Sequence, residues 1–209
     1  MNVLETIAAQ RQKLLDGIDA NDGDISLRIF EDFYPVEAHL IYELLQNAED
    51  AGATEVVFEL VAHGCSFEHN GSRHFNEADI RGITGIFNSS KKDSPDKIGK
   101  FGVGFKSVFV YTDTPIVYSK DYSFKILKLV FPQEISPKTG LGEKTRFEFP
   151  FNNQKKDATT AFSEVRRAWS NCRTPRCCSS TTCAISNGKL AISKAKFFGL
   201  NTLYHMSKY

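Results

Sequence analysis

Apolar residues recur at helical spacing through residues 3–20, with Val3, Leu4, Ile7, Ala8, Leu14, Leu15 and Ile18 on one stripe. The turn cluster NDGDIS at 21–26 stops that helix. A second helix is predicted after Pro35, whose missing N–H suits a first helical turn. Leu40, Ile41, Leu44, Leu45 and Ala48 form its apolar face, and Gly52 is placed to cap its C-terminus. The pattern then changes. Residues 53–62 (ATEVVFELVA) carry the β-branched and aromatic content of a strand, and CSFEHN at 65–70 reads as its hairpin partner. Asn76 to Asp79 opens a short helix with an acidic first turn. Residues 85–100 have a loop composition, and an apolar helix opening on glycines follows from Val103 to Tyr111. Strand-like runs at 115–119, 123–131 and 144–150 precede a last amphipathic helix over about 158–169. This order predicts a two-layer α+β sandwich, with helices on one face of a mixed, mainly antiparallel sheet.

The chain has 209 residues, 41% hydrophobic and 24% charged, which suits a packed core and argues against wholesale disorder. No apolar run approaches the roughly 18–20 residues that span a bilayer, and MNVLETIAAQRQ lacks a signal pattern, so the expectation is no membrane partner. The default compartment is the cytoplasm or the nucleus. A formal net charge of +1 gives no reason to expect a nucleic-acid partner. That average hides a break. Residues 1–164 hold 18 basic against 25 acidic side chains, and residues 165–209 hold 8 basic and no acidic ones. Three segments are therefore expected: an N-terminal helix and turn at 1–24, a main domain at 25–164, and an atypical basic tail at 165–209.

Two stretches carry candidate chemistry. Glu43, Asn47 and Asp50 are spaced by four and three, which puts them on one helical face, interleaved with the apolar stripe rather than opposite it. An amide at a core-facing turn is costly unless something satisfies it. Two carboxylates and an amide oxygen suit a hard cation and an activated water; an exposed acidic helix end is the plain alternative. The second stretch is IGKFGVGFKSVF at 98–109, whose glycines let backbone N–H groups approach an anion. It matches neither the P-loop nor the dinucleotide fingerprint, and taken alone a structural turn accounts for it better than a phosphate cradle. Between them, His69-Asn70-Gly71 ends the hairpin, which Asn-Gly turn chemistry explains by itself.

Taken in order, YELLQNAEDAGA, the HNG turn, a Ser/Lys-rich loop and IGKFGVGFKSVF resemble the GHKL ATP-binding superfamily, most closely its sacsin/Nov-type branch, over about residues 25–150. The resemblance implies the Bergerat-type version of the sandwich, with ATP and Mg²⁺ as ligands. It implies Glu43 as the general base toward water, Asn47 as the Mg²⁺ ligand, and Asp50 as an organiser of water near the nucleotide. His69 or Asn70, with Gly71, falls where most members place an adenine-reading Asp, and Thr145 matches a Thr beside the adenine. Residues 85–100 would form a lid, with Ser90 and Lys91 toward phosphate, and Gly99, Gly102, Val103, Gly104 and Phe105 would cradle the phosphates. One departure stands out: the turn reads HNG rather than D-x-G. Asn or neutral His can accept a hydrogen bond, but without the charge that strengthens it.

The implied function is an ATP/Mg-binding, chaperone-like module with slow hydrolysis coupled to lid closure, acting on protein clients or through a homodimer partner. The alternative is a nucleotide-independent scaffold that keeps the fold and has lost adenine recognition. Histidine-kinase phosphotransfer ranks last, since no upstream helix pair carrying a substrate His is present. In the tail, Cys172, Cys177, Cys178 and Cys183 lack the paired spacing of a zinc site. The joint change of charge, cysteine use and periodicity after about Ser170 fits a shifted reading frame or a truncated chain.

Overall fold

The computed structural model describes residues 2–20, 39–85, 104–172, 182–186 and 189–193. Five helices and eight strands appear among them: α1 (Val3–Asp19), α2 (His39–Asp50), β1 (Glu55–Val61), β2 (Gly64–His69), α3 (Glu77–Ile83), the 3₁₀ helix η1 (Gly104–Val110), β3 (Ile116–Ser119), β4 (Tyr122–Leu127), β5 (Phe131–Glu134), β6 (Thr145–Pro150), α4 (Ala158–Cys172), β7 (Thr182–Ser186) and β8 (Lys189–Ser193). The strands form one sheet in the order β5-β4-β3-β6-β2-β1-β8-β7. Every described pairing is antiparallel, where the sequence reading allowed a mixed sheet.

Register explains the core. Phe58, Phe67, Phe147, Val117 and Phe124 lie opposite one another across five neighbouring strands, forming one inward row of fully buried side chains. A neighbouring row contains Val56, His69, Thr145 and Ser119. The alternate positions point outward, where Arg146 bridges Glu148 at 2.8 Å and Glu68 at 3.3 Å. This alternation of buried and polar positions gives a sheet with one face covered and the other open to solvent. The covering layer is built from the predicted stripe of α2 (Leu40, Ile41, Leu44, Leu45, Ala48) and from Ala161, Val165 and Trp169 of α4, whose indole meets Phe58 edge-on at 4.3 Å. The architecture is the expected α+β sandwich.

Local chemistry fixes the ends of the elements. Asn2 and Glu5 form a reciprocal capping box at α1, as Asn76 and Asp79 do at α3. Gly52 ends α2 in the left-handed region at φ 72°, where glycine carries no side-chain penalty. Two readings need correction. The run 123–131 is not one strand: the chain reverses at Lys128 and Leu129, both at positive φ, so β4 ends at Leu127 and β5 begins at Phe131. No Gly or Asn marks that turn, and Pro132 is tolerated because β5 lies at the sheet edge. The apolar stretch after the glycines is a seven-residue 3₁₀ helix, buried from Phe105 to Phe109.

The tail also carries regular structure. α4 continues through residue 165 to Cys172, and β8 pairs with β1 in register from Glu55 opposite Ser193 to Glu59 opposite Lys189. Cys177 and Cys178 lie outside the described residues. Among the described residues, no helix is long and apolar enough to cross a membrane, and no group of His, Cys, Asp or Glu is placed to hold a metal.

Candidate functional site

α2 carries Glu43, Asn47 and Asp50 from its middle to its C-terminal end, and the three differ in environment. Asn47 is buried at 4% exposure, and its main-chain carbonyl accepts from Ala51 N–H at 3.1 Å. Glu43 is half-buried, and burial raises its carboxyl pKa above the ordinary range. Asp50 is exposed; partial desolvation raises its pKa, and the nearby Arg73 charge works against that rise.

The start of η1 comes directly against this helix. A Cβ at Gly104 would lie 1.9 Å from Oε2 and 2.2 Å from Cδ of Glu43, so only glycine leaves room for the carboxylate. Residues 61 positions apart thus share one spot: a half-buried carboxylate touching a bare main chain. Close by in sequence, the Ser107 hydroxyl is buried without a hydrogen-bond partner among the described residues. Phe105 contributes its ring to the core, with centroids 6.0 Å from Phe147 and 6.4 Å from Phe149. Ser90, Lys91, Gly99, Gly102 and Val103 lie outside the described residues.

The hairpin turn meets the other end of α2. A Cβ at Gly71 would sit 2.7 Å from the Ala51 carbonyl oxygen and 2.9 Å from His69 Nδ1, and Arg73 N–H donates to that same carbonyl at 3.2 Å. Gly71 N–H donates to His69 Nδ1 at 3.1 Å, which leaves the ring proton on Nε2. His69 is stacked on Phe147 and buried, and burial first, then the neighbouring His74, push its pKa down to about 4. It is therefore neutral at pH 7 and offers a donor, not an acceptor, at its second nitrogen. Asn70 is committed elsewhere. Its Oδ1 accepts from the N–H groups of Thr54 and Glu55, each at 2.9 Å, and its Nδ2 donates to Thr54 Oγ1 at 3.0 Å. Thr145 is fully buried opposite His69 and hydrogen-bonds Ser119 Oγ at 2.7 Å, and Ser119 Oγ accepts from Phe75 N–H.

The pH behaviour of this row follows from His69. Its folded pKa lies below the unfolded value of about 6.5, so between those values the unfolded chain binds the extra proton and stability falls as pH falls. A shift of that size corresponds to about 3 kcal/mol between pH 7 and pH 4. Denaturant midpoints at both pH values for wild type and His69→Gln should show the variant lacking that part of the acid loss; identical acid losses would refute the assignment.

Sequence reasoning missed three residues. Ser119 gave no signal, because it touches the row only through cross-strand register. Arg73 bridges the buried Asp79 at 2.5 Å, and the spacing of six to Asp79 resembles any turn-to-helix pair. Lys106 reads as an ordinary surface lysine within GFKSVF, yet its side chain is almost wholly enclosed.

The Sacsin domain family model matches residues 60–181. Human (Homo sapiens) Sacsin is 39% identical over 42% of this chain, a stretch covering 2% of Sacsin itself. Protein NO VEIN of Arabidopsis thaliana is 37% identical over 46% of this chain and 4% of its own length. The chain thus spans a few hundredths of the curated relatives it matches. Among solved structures, the crystal structure of the N-terminal domain of a DNA repair protein aligns with a TM-score of 0.53 over 79% of this chain and 54% of that one. At 14% identity, that likeness speaks to the fold.

Proposed function

Because the chain belongs to the Sacsin domain family, we propose that it is an ATP-binding module of GHKL type, with Mg-ATP held between α2 and the start of η1 and hydrolysed slowly. The observation that carries this reading is the contact of the half-buried Glu43 carboxylate with the Gly104 main chain, which joins the two motifs that resemble a nucleotide site. Glu43 is the general base: burial raises its pKa, which makes it a stronger proton acceptor than a solvated carboxylate. The Asn47 amide oxygen fits a hard cation, and Mg²⁺ bound there would supply positive charge against the phosphates. Gly104 lets the main chain come up against the Glu43 carboxylate because nothing projects from its Cα. Asp50, at the exposed end, orders water. Lid closure, by a segment that lies outside the described residues, and chaperone-like action on protein clients, or on a second copy of the chain, complete the proposal in the cytoplasm or nucleus.

A second reading has its own support. Asn70 spends its amide on the start of β1, and His69 keeps Nδ1 for Gly71, so neither is free to accept a hydrogen bond from an adenine amino group. A scaffold that has lost nucleotide binding would look the same at this turn. Isothermal titration with Mg-ATP and Mg-GTP, on intact protein and on Asn47→Ala, separates the two. The nucleotide reading expects heat from the intact protein that weakens at least about tenfold in affinity in the variant, with little preference for ATP over GTP. Silence from both proteins would leave the scaffold.

A further inference from the structure

Lys106 lies two residues beyond the glycine that touches Glu43, and its ammonium is placed among main-chain oxygens rather than carboxylates. It donates to the Ile83 carbonyl at 2.7 Å, at the end of α3, and to the Leu129 carbonyl in the left-handed turn between β4 and β5. Its Nζ also stands 5.3 Å from the centre of the Phe109 ring. The end of α3 receives a second cation from another direction: Arg11 of α1 donates to the Arg81 carbonyl at 3.1 Å and to Thr84 Oγ1 at 3.4 Å. Two positive groups thus cap one short helix, which suits the negative end of its dipole, but they tie it to different partners. Arg11 ties α3 to α1. Lys106 ties α3 to η1.

We propose that Lys106 is a positioning residue for Glu43: by fastening η1 to the end of α3 and to the β4–β5 turn, it holds the Gly104 main chain against the Glu43 carboxylate. Its consequence for turnover rests on the nucleotide reading above; its consequence for the carboxylate does not. A single residue of 3₁₀ helix, Phe105, separates the clamp from Gly104, so freeing the lysine end lets the glycine end drift. Water then reaches Glu43, and the burial that raises its pKa is relieved. Burial and the neighbouring Arg11 charge lower the pKa of Lys106 itself to about 7, so its place at neutral pH depends on the two carbonyls that receive it. A buried amine held by two carbonyls and an aromatic face has a geometric task that a methionine of similar length cannot perform.

The test compares Lys106→Met with Arg11→Met in the full chain, with Lys106→Gln as a milder variant that keeps a donor. Carbon-detected NMR titration of the Glu43 carboxyl reads the contact without any nucleotide. Lys106→Met is expected to bring the Glu43 pKa back toward the ordinary carboxylate range, Lys106→Gln to bring it part of the way, and Arg11→Met to leave it unmoved. In ATP turnover assays, Lys106→Met should lower kcat about tenfold or more with KM changed far less, while Arg11→Met stays near wild type at comparable stability loss. A Glu43 titration unchanged in both Lys106 variants would overturn the inference, as would equal kcat losses in Lys106→Met and Arg11→Met. A wild-type protein without ATP turnover would remove the nucleotide reading and leave the titration to decide on Lys106.

Discussion

On the proposed nucleotide reading, Glu43→Gln should bind Mg-ATP about as tightly as wild type and hydrolyse it about 10²- to 10⁴-fold more slowly, the usual contribution of a positioned general base. The substitution keeps the size of the side chain and its place against Gly104, where a Cβ would be 1.9 Å from the carboxylate oxygen, so the site keeps its shape and loses only its proton acceptor. The pH profile supplies a second signature. Burial raises the Glu43 pKa, so the acid limb of wild-type turnover should lie above the ordinary carboxylate midpoint of about 4.3, and the variant's residual rate should lack that limb. Single-turnover measurement with radiolabelled ATP, paired with a binding titration, checks both. Undiminished hydrolysis in the variant would assign the proton transfer to another group and take the general-base role from Glu43.

The largest stability effect is expected at Phe147. This ring has no exposure and sits on the strand between β3 and β2, with neighbouring ring centroids at 5.9 Å (Phe75), 6.0 Å (Phe105), 6.3 Å (Phe149 and His69) and 6.4 Å (Phe67). It touches the sheet, the turn before α3 and η1 at once, so no single element can collapse into the space it leaves. Phe147→Ala should cost about 3–5 kcal/mol, a large share of the roughly 5–15 kcal/mol that holds a domain folded. Phe147→Leu fills much of the volume and should cost clearly less. Chemical denaturation of both variants measures the difference. An alanine variant within about 1 kcal/mol of wild type would mean that the packing relaxes, against the expectation for a fully enclosed aromatic ring.

The elements that could be read from the sequence are those whose signal is local. The α2 stripe repeats at helical spacing, so its buried face and the polar trio beside it follow from periodicity, and the contact between Glu43 and Gly104 joins the two stretches singled out for chemistry. Features set by distant partners were hidden. The β4–β5 reversal falls at Lys128 and Leu129, which carry no turn chemistry and are held at positive φ by what surrounds them, including the Lys106 ammonium on the Leu129 carbonyl. Asn70 looks available in an HNG turn, yet the first residues of β1 occupy its amide, a pairing that only the folded hairpin creates. The strands at 182–186 and 189–193 were missed for a related reason: β8 finds its place by pairing with β1, more than a hundred residues earlier, and strands of five residues are too short to carry much period of their own.

The strand order has a consequence for how the molecule is made. Among the described strands, β6, at Thr145–Pro150, is the one that joins the β1–β2 hairpin to the β3–β4–β5 meander. A nascent chain that has emerged only as far as residue 140 therefore holds two separate ribbons, each with an unpaired edge where β6 should be. Joining them waits for a segment about eighty residues downstream of β2, a long loop to close before any reward is collected. A ribosome-bound intermediate of this protein is accordingly an open, sticky object, and its vulnerability to aggregation during synthesis is concentrated in the seconds before that strand arrives.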